Sequence, residues 1–232
     1  HCNWTSPAYL RAGDLELGIL GGPDGVCYAF RPTPVEGEDG WPILDLAWQF
    51  DANPPEYRFK EDGTPRKYAT RDGPSEIIST PVTYDGKVYT CIGQDPEHGE
   101  GVGNFVCIDP TGTGDVTKTH LVWEYRKINR SLSTPSIRDG LVFVADFSGF
   151  VYCLDAKTGE EYWIHDTMGH IWGSTLVADG RVFVGIEDGF LVSLPASRDY
   201  SADGFVEIDF MTPIYSSPIV ANGVLYVATS TH

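Results

Sequence analysis

The chain has 232 residues, 41% hydrophobic and 12% aromatic, with 26 Gly and 16 Pro. That supplies a packed core but too many breakers for long helices, and it excludes disorder and collagen. Sixteen Lys+Arg against 33 Asp+Glu give a formal charge of −17, a field that repels phosphate backbones and anionic headgroups and argues against nucleic acid as a partner. No apolar run reaches the roughly 18 residues a membrane span needs. The five cysteines, Cys2, Cys27, Cys91, Cys107 and Cys153, form no CxxC and no adjacent pair, which excludes zinc ribbons and covalent c-type haem.

A repeat organises the chain. Trp4-Thr5-Ser6-Pro7 opens it, followed by Arg11-Ala12-Gly13-Asp14, read as a longer turn. The same apolar-small-Ser/Thr-Pro start, leading to Asp-Gly or Asn-Gly, returns at Ile78-Ser79-Thr80-Pro81 with Asp85-Gly86 and at Leu132-Ser133-Thr134-Pro135 with Asp139-Gly140. It recurs at Trp172-Gly173-Ser174-Thr175 with Asp179-Gly180 and at Tyr215-Ser216-Ser217-Pro218 with Asn222-Gly223. Each Asp-Gly or Asn-Gly between short alternating runs predicts a two-residue hairpin with positive φ. A second turn at Asp24-Gly25, Ser148-Gly149 and Asp188-Gly189 leads into a third run, Val26 to Phe30, Phe150 to Leu154 and Phe190 to Leu194. After Lys157-Thr158-Gly159, a fourth piece ends in Tyr162-Trp163.

Four antiparallel strands per unit, repeated, predict an all-β propeller. The blades expected are 3–76, 77–131, 132–171 and 172–213, with a half-blade over 214–232, in one partial propeller domain covering 1–232. A sheet ending after its second strand leaves an open edge, so the expectation is a piece of a larger propeller of seven or eight blades, or completion by another chain.

The segment Cys153-Leu154-Asp155-Ala156-Lys157-Thr158-Gly159-Glu160-Glu161-Tyr162-Trp163 resembles the tryptophan-docking motif of the pyrroloquinoline quinone (PQQ) propeller repeat. Cys107-Ile108-Asp109, with Gly112 or Gly114 and Trp123, resembles a stretched copy, and Ala29 with Trp48 an eroded one. The resemblance implies Asp155, Gly159, Trp163, Asp109, Trp123 and Trp48 as a structural docking set, the indoles wedging between blades. It also implies one of two kinds of protein. Quinoprotein dehydrogenases hold PQQ and calcium on the axis, typically under an adjacent cysteine pair, which this chain lacks. The non-enzymatic branch, similar to the lipoprotein propeller of the outer-membrane β-barrel assembly machinery, keeps the blades without the cofactor.

Other residues carry competing readings. Trp4 and Trp172 start strand one and serve either as core or as a stacking platform for a planar ligand. With Arg130 close to another strand-one start, they are the candidate cofactor contacts under the PQQ alternative. Asp95, Glu97, His98 and Glu100 crowd a glycine-containing loop that suits a hard cation such as calcium or stays a solvated acidic loop. His165, Asp166 and His170 read as a base with its orienter or as a polar loop. Cys91, Cys107 and Cys153 stand where small residues recur, which predicts buried inert thiols, a Cys91–Cys107 bridge being the alternative. Insertions over 51–76, 93–104 and 124–129 leave on one face of the disc, where a binding site is expected.

The function these readings predict is a non-catalytic, exported, periplasmic or extracellular scaffold. It binds a protein partner or ligand through the inserted face, has no catalytic residues and needs no cofactor apart from the calcium option. A PQQ- and calcium-dependent alcohol or aldose dehydrogenase is the alternative, and a glycan-binding propeller a third.

Overall fold

The computed structural model describes residues 3–232, so His1 and Cys2 lie outside it. The chain forms two compact units, His1–Lys127 and Ile128–His232. The first holds two blades. Strands β1 (Ala8–Ala12), β2 (Leu15–Gly21), β3 (Val26–Glu36) and β4 (Pro42–Asp51) form an antiparallel meander, then a helical turn, α1 (Pro55–Arg58), lies in the insertion. The second blade runs β5 (Val82–Tyr84), β6 (Lys87–Cys91) and β7 (Phe105–Ile108), detours through β8 (Gly114–Asp115), and closes with β9 (Leu121–Tyr125). The detour pairs in parallel with β4, Trp48 opposite Gly114 and Gln49 opposite Asp115, so the first sheet has five strands.

The second unit has two bare blades: β10 (Ser136–Arg138), β11 (Leu141–Ala145), β12 (Phe150–Asp155) and β13 (Glu161–Asp166), then β14 (Leu176–Ala178), β15 (Arg181–Gly185), β16 (Phe190–Pro195) and β17 (Val206–Asp209). A last hairpin pairs β18 (Ile219–Ala221) with β19 (Val224–Tyr226). This is the all-β architecture of four-stranded antiparallel blades that the repeat predicts.

The turn chemistry explains the strand order. Asp85-Gly86, Asp139-Gly140, Asp179-Gly180 and Asn222-Gly223 all have φ between 48° and 78°, the type I′ geometry that matches strand twist. The first hairpin corrects the expectation of a longer turn. Ala12 pairs with Leu15, leaving only Gly13-Asp14 between the strands, and Gly13 alone takes a positive φ of 61°, as a type II′ turn requires. At Gly149 and Gly189 the chain returning from strand four passes so close that a Cβ would meet the backbone of Gly169 or Thr212.

The third run of the first blade is also longer than Val26 to Phe30. Strands β3 and β4 continue past the blade as an extended hairpin on which Val35, Trp41, Ile43 and Leu44 are exposed. Each unit keeps its own core. Ile19, Ala29 and Trp48 of the first blade pack on Val88, Val106 and Ile108 of the second. Phe143, Cys153 and Trp163 pack on Val182, Val192 and Leu194.

Candidate functional site

The docking positions obey one rule set by register. Ala29 opposes Trp48, Cys107 opposes Trp123 and Cys153 opposes Trp163, and each pair stands beside a register shift. A small residue opposite the ring leaves room for an indole to lie over the sheet, and the shift lets its strand continue beside the bulk. Trp163 Nε1 donates to Ser197 O at 2.8 Å and Trp48 Nε1 to Pro110 O at 2.9 Å, both in the loop after strand three of the following blade. Trp48 is thus a full docking residue despite the eroded sequence around it.

Asp155 knots the turn before Trp163. Its Oδ1 accepts from the amides of Lys157 (2.8 Å) and Thr158 (2.9 Å), and its Oδ2 from the Tyr162 hydroxyl (2.7 Å). The Gly159 amide goes instead to the Asp155 backbone carbonyl. Partial burial pushes the Asp155 carboxyl up, but these donors outweigh it and hold the pKa below the usual carboxylate value. Asp109 makes the shorter version, accepting from Thr111 N and Oγ1 and pairing with Lys87 at 3.2 Å.

In the first unit, the insertions over 51–76 and 93–104 are knitted together. Gly93 N donates to Glu76 O (2.8 Å), Val102 N to Arg71 O (2.9 Å) and Asn104 Nδ2 to Ala52 O (3.0 Å). Arg58 clamps Asp51 through two nitrogens, and Arg126, just beyond β9, pairs with Glu56 and with Glu124. Burial lowers the Arg126 pKa, yet the two carboxylates raise it further than that, so the ion pair persists. The result is a platform of loops fixed to a rigid sheet. At its base Gln94 Nε2 and Asn104 Oδ1 are buried without a hydrogen-bond partner among the described residues.

The loop of Asp95, Glu97, His98 and Glu100 is a capped turn: Asp95 Oδ1 accepts from the amide of Glu97 at 2.9 Å, starting a single 3-10 turn over Pro96–His98. Among the described residues, no three His, Cys, Asp or Glu side chains gather as a metal site.

The cofactor candidates are placed differently from one another. Trp4 is 59% exposed, so it is not core. Arg130 is 1% exposed and engaged in the interior. Trp172 is half-buried, meets Phe147 and Tyr215 edge-on, and donates Nε1 to Glu187 at 3.0 Å. His170 stacks on Phe147 beside it, over a cavity of about 450 Å³ lined in part by Glu187 and Asp188. Those two carboxylates give this pocket a negative lining.

His165, Asp166 and His170 are also separated. His165 lies in β13, buried against Tyr200 and Phe205, while Asp166 Oδ1 accepts from Met168 N. Cys27, Cys91, Cys107 and Cys153 are buried thiols without a disulfide, which corrects the Cys91–Cys107 bridge. Cys91 opposes Phe105 and Cys107 opposes Tyr89, two residues out of step. Burial pushes the thiols of Cys27, Cys107 and Cys153 up to about 12, which suits inert packing.

Two features had no clear signal in sequence. Asp146 is buried and accepts from Asn129 N and Nδ2, Phe150 N and the Tyr152 hydroxyl, while burial still pushes its carboxyl up. The strand-one starts of the second unit are tied by a relay: Thr134 N donates to Ser174 Oγ (3.0 Å) and Ser174 N to Ser217 Oγ (2.8 Å).

Comparison with known proteins fits this geometry. A family model described as outer membrane protein assembly factor BamB matches residues 60–165 and, in an overlapping second match, 106–199. The matches together take in more than half of the chain, and the chain belongs to this family of PQQ-like propeller repeats. Quinohemoprotein alcohol dehydrogenase ADH-IIG of Pseudomonas putida is 26% identical over 170 residues, 66% of this chain and 21% of that enzyme. The crystal structure of BamB from Moraxella catarrhalis is similar with a TM-score of 0.65 at 16% identity, covering 98% of this chain and 56% of that one. The C-terminal WD40 domain of Sif2 is similar with a TM-score of 0.60 at 13% identity, covering 92% and 51%. These structural likenesses show the propeller fold. The chain spans about a fifth of the length of the dehydrogenase and about half of each propeller.

Proposed function

We propose that the chain is a non-catalytic propeller scaffold of an exported assembly machine, and that it engages a protein partner through the loop platform of residues 51–76 and 93–104. The observation that carries this reading is the knitting of two long insertions into one surface by the backbone bonds from Gly93 to Glu76 and from Val102 to Arg71, with the Arg126–Glu56 and Arg58–Asp51 pairs bracing the first of them. Ordered loops on a rigid sheet lose little entropy on binding. Family membership supports the assembly role, and with it a periplasmic setting. No described helix is long and apolar enough to cross a membrane. Photo-crosslinkers at Lys60 and Glu97, both exposed, test the platform in cells. Discrete adducts with an outer-membrane assembly protein are expected there and not from Asp139, in a strand-one turn. Equal adducts from all three positions, or none, reject the platform.

A dehydrogenase reading rests on the similarity to ADH-IIG. Titration with PQQ and calcium, followed by tryptophan fluorescence and dye reduction with alcohols or aldose sugars, decides it. Saturable quenching with substrate-dependent reduction replaces the scaffold reading.

A further inference from the structure

Between its third and fourth strands the fourth blade carries a long loop, residues 196–205, where the third blade has only residues 156–160. The two ends of the loop belong to its own blade: Ala196 N donates to Gly180 O at 2.9 Å, and Gly204 O accepts from Arg181 Nη2 at 2.6 Å. Its middle is a strap on β13, the last strand of the third blade's sheet. Ser197 O accepts the Trp163 indole N–H, Arg198 pairs with Asp155 at 3.6 Å, and the Tyr200 and Trp163 ring centroids are 5.8 Å apart.

His165 of β13 is clamped by this strap. Its Nδ1 shares a hydrogen bond of 3.0 Å with the Tyr200 hydroxyl, and the Phe205 ring lies 4.8 Å from the imidazole. The side chain is 9% exposed, and its Nε2 is buried with no hydrogen-bond partner among the described residues. A neutral imidazole tolerates that arrangement: with its proton on Nδ1 and donated to the Tyr200 oxygen, Nε2 keeps only a lone pair. An imidazolium does not, because Nε2 becomes a buried charged donor with no acceptor. Two carboxylates act on the ring, Asp166 next to it in β13 and Glu207 on β17. Val151, opposite it on β12, brings no charge, and Arg198 of the strap is turned to Asp155. Asp166, Glu207, and Asp199 and Asp203 of the strap are all exposed, so solvent weakens their pull and burial prevails.

We propose that His165 is the catch of a pH-sensitive latch: proton uptake by its imidazole lifts the strap off the third blade while both sheets stay folded. The other ties do not titrate in this range. The Asp155 carboxyl is held below the usual carboxylate value, so its pair with Arg198 persists in mild acid, and the indole–carbonyl bond carries no titrating group. With the strap lifted, both imidazole nitrogens reach water and the ordinary value near 6.5 returns. The open form therefore gains as pH falls below about 6.5 and stops gaining below the closed form's own, lower value. Lifting uncovers Trp163, Tyr200 and Phe205, so acid bares an aromatic strip at the seam of the two blades that neutral pH covers.

Amide hydrogen exchange of the whole chain at about pH 7.5 and about pH 5, corrected for intrinsic rates, reads the latch. Protection over residues 196–205 should fall at least about fivefold in acid, within the tenfold that each unit of pKa difference allows, while β12 and β13 change less than about twofold. His165→Phe keeps a ring against Phe205 and cannot titrate, so its strap should be equally protected at both pH values. Arg198→Met should loosen the strap at both and keep the fall in acid. The ring nitrogen-15 titration of His165, recognised by its contacts to Phe205, needs no variant, and its midpoint should lie below the free value near 6.5. A strap equally protected at both pH values in the parent, an undiminished fall in His165→Phe, a matching loss across β12 and β13, or an imidazole midpoint at or above about 6.5 overturns the latch.

Discussion

The third and fourth blades differ by one missing motif, and the difference shows what the motif is for. In the third, Trp163 fills the space over Cys153 and reaches Ser197. In the fourth, the residue opposite Ser193 is Val206, 46% exposed, and no register shift occurs. Its place is taken from strand two: Arg181 donates Nε to Ser193 Oγ (2.6 Å) and Nη2 to the carbonyls of Ser193 (2.9 Å) and Gly204 (2.6 Å). A blade therefore needs something that ties strand three to the loop beyond it. An indole reaching outward ties it to the next blade, whereas an Arg reaching across ties it only to itself.

The contrast can be broken in graded steps. Trp163→Ala should cost about 3–5 kcal/mol, the usual loss for a large buried aromatic, read by chemical denaturation. Trp48→Ala should cost as much, since its ring is 0% exposed; a small effect there would make its motif as eroded in energy as in sequence. Asp155→Ala should cost about 1–3 kcal/mol by freeing two turn amides and the Tyr162 hydroxyl. Because its folded pKa is depressed, that contribution is present above the unfolded carboxylate value near 3.9 and disappears as pH falls through the folded one. Parent and variant should thus converge in strong acid.

Arg181→Met keeps the stem and removes three hydrogen bonds, for about 1–2 kcal/mol, and the loss should stay within the fourth blade when followed by amide exchange. The smallest effect concerns His165, whose imidazole burial holds below its usual pKa. The unfolded chain binds the proton more readily, so stability is full above about pH 6.5 and declines as pH drops toward the folded value. His165→Phe should flatten that decline, seen as a smaller shift of the thermal midpoint between neutral and mildly acidic pH.

The propeller was legible because its strands are set by local chemistry. An Asp-Gly between alternating runs has few other ways to fold, and the runs repeat. The first turn was misread because Gly13-Asp14 is the mirror-type turn with glycine first, and its neighbours Arg11 and Ala12 carry no strand signal of their own. The extended β3–β4 hairpin was missed because Pro32 and Pro34 read as breakers, although on a protruding ribbon they interrupt no ladder of a central strand. Site residues were harder. Asp95 looks like a ligand, and its role as a cap could not be told from that, since a carboxylate followed by Pro and Glu has the same spelling in both roles. Arg181 carries no motif at all, because its partners are two backbone carbonyls and one serine hydroxyl.

The relay through Thr134, Ser174 and Ser217 has a bearing on how such a chain can change length. Within the second unit, Ser174 offers its amide to Ser217 and its hydroxyl to Thr134, so the two seams there are written in one alphabet. A copy duplicated or lost whole would meet familiar ends on both sides. Blade number can then drift in steps of one repeat while the inner ring of contacts stays grammatical, whereas an insertion of a few residues at a strand-one start would leave a word unfinished.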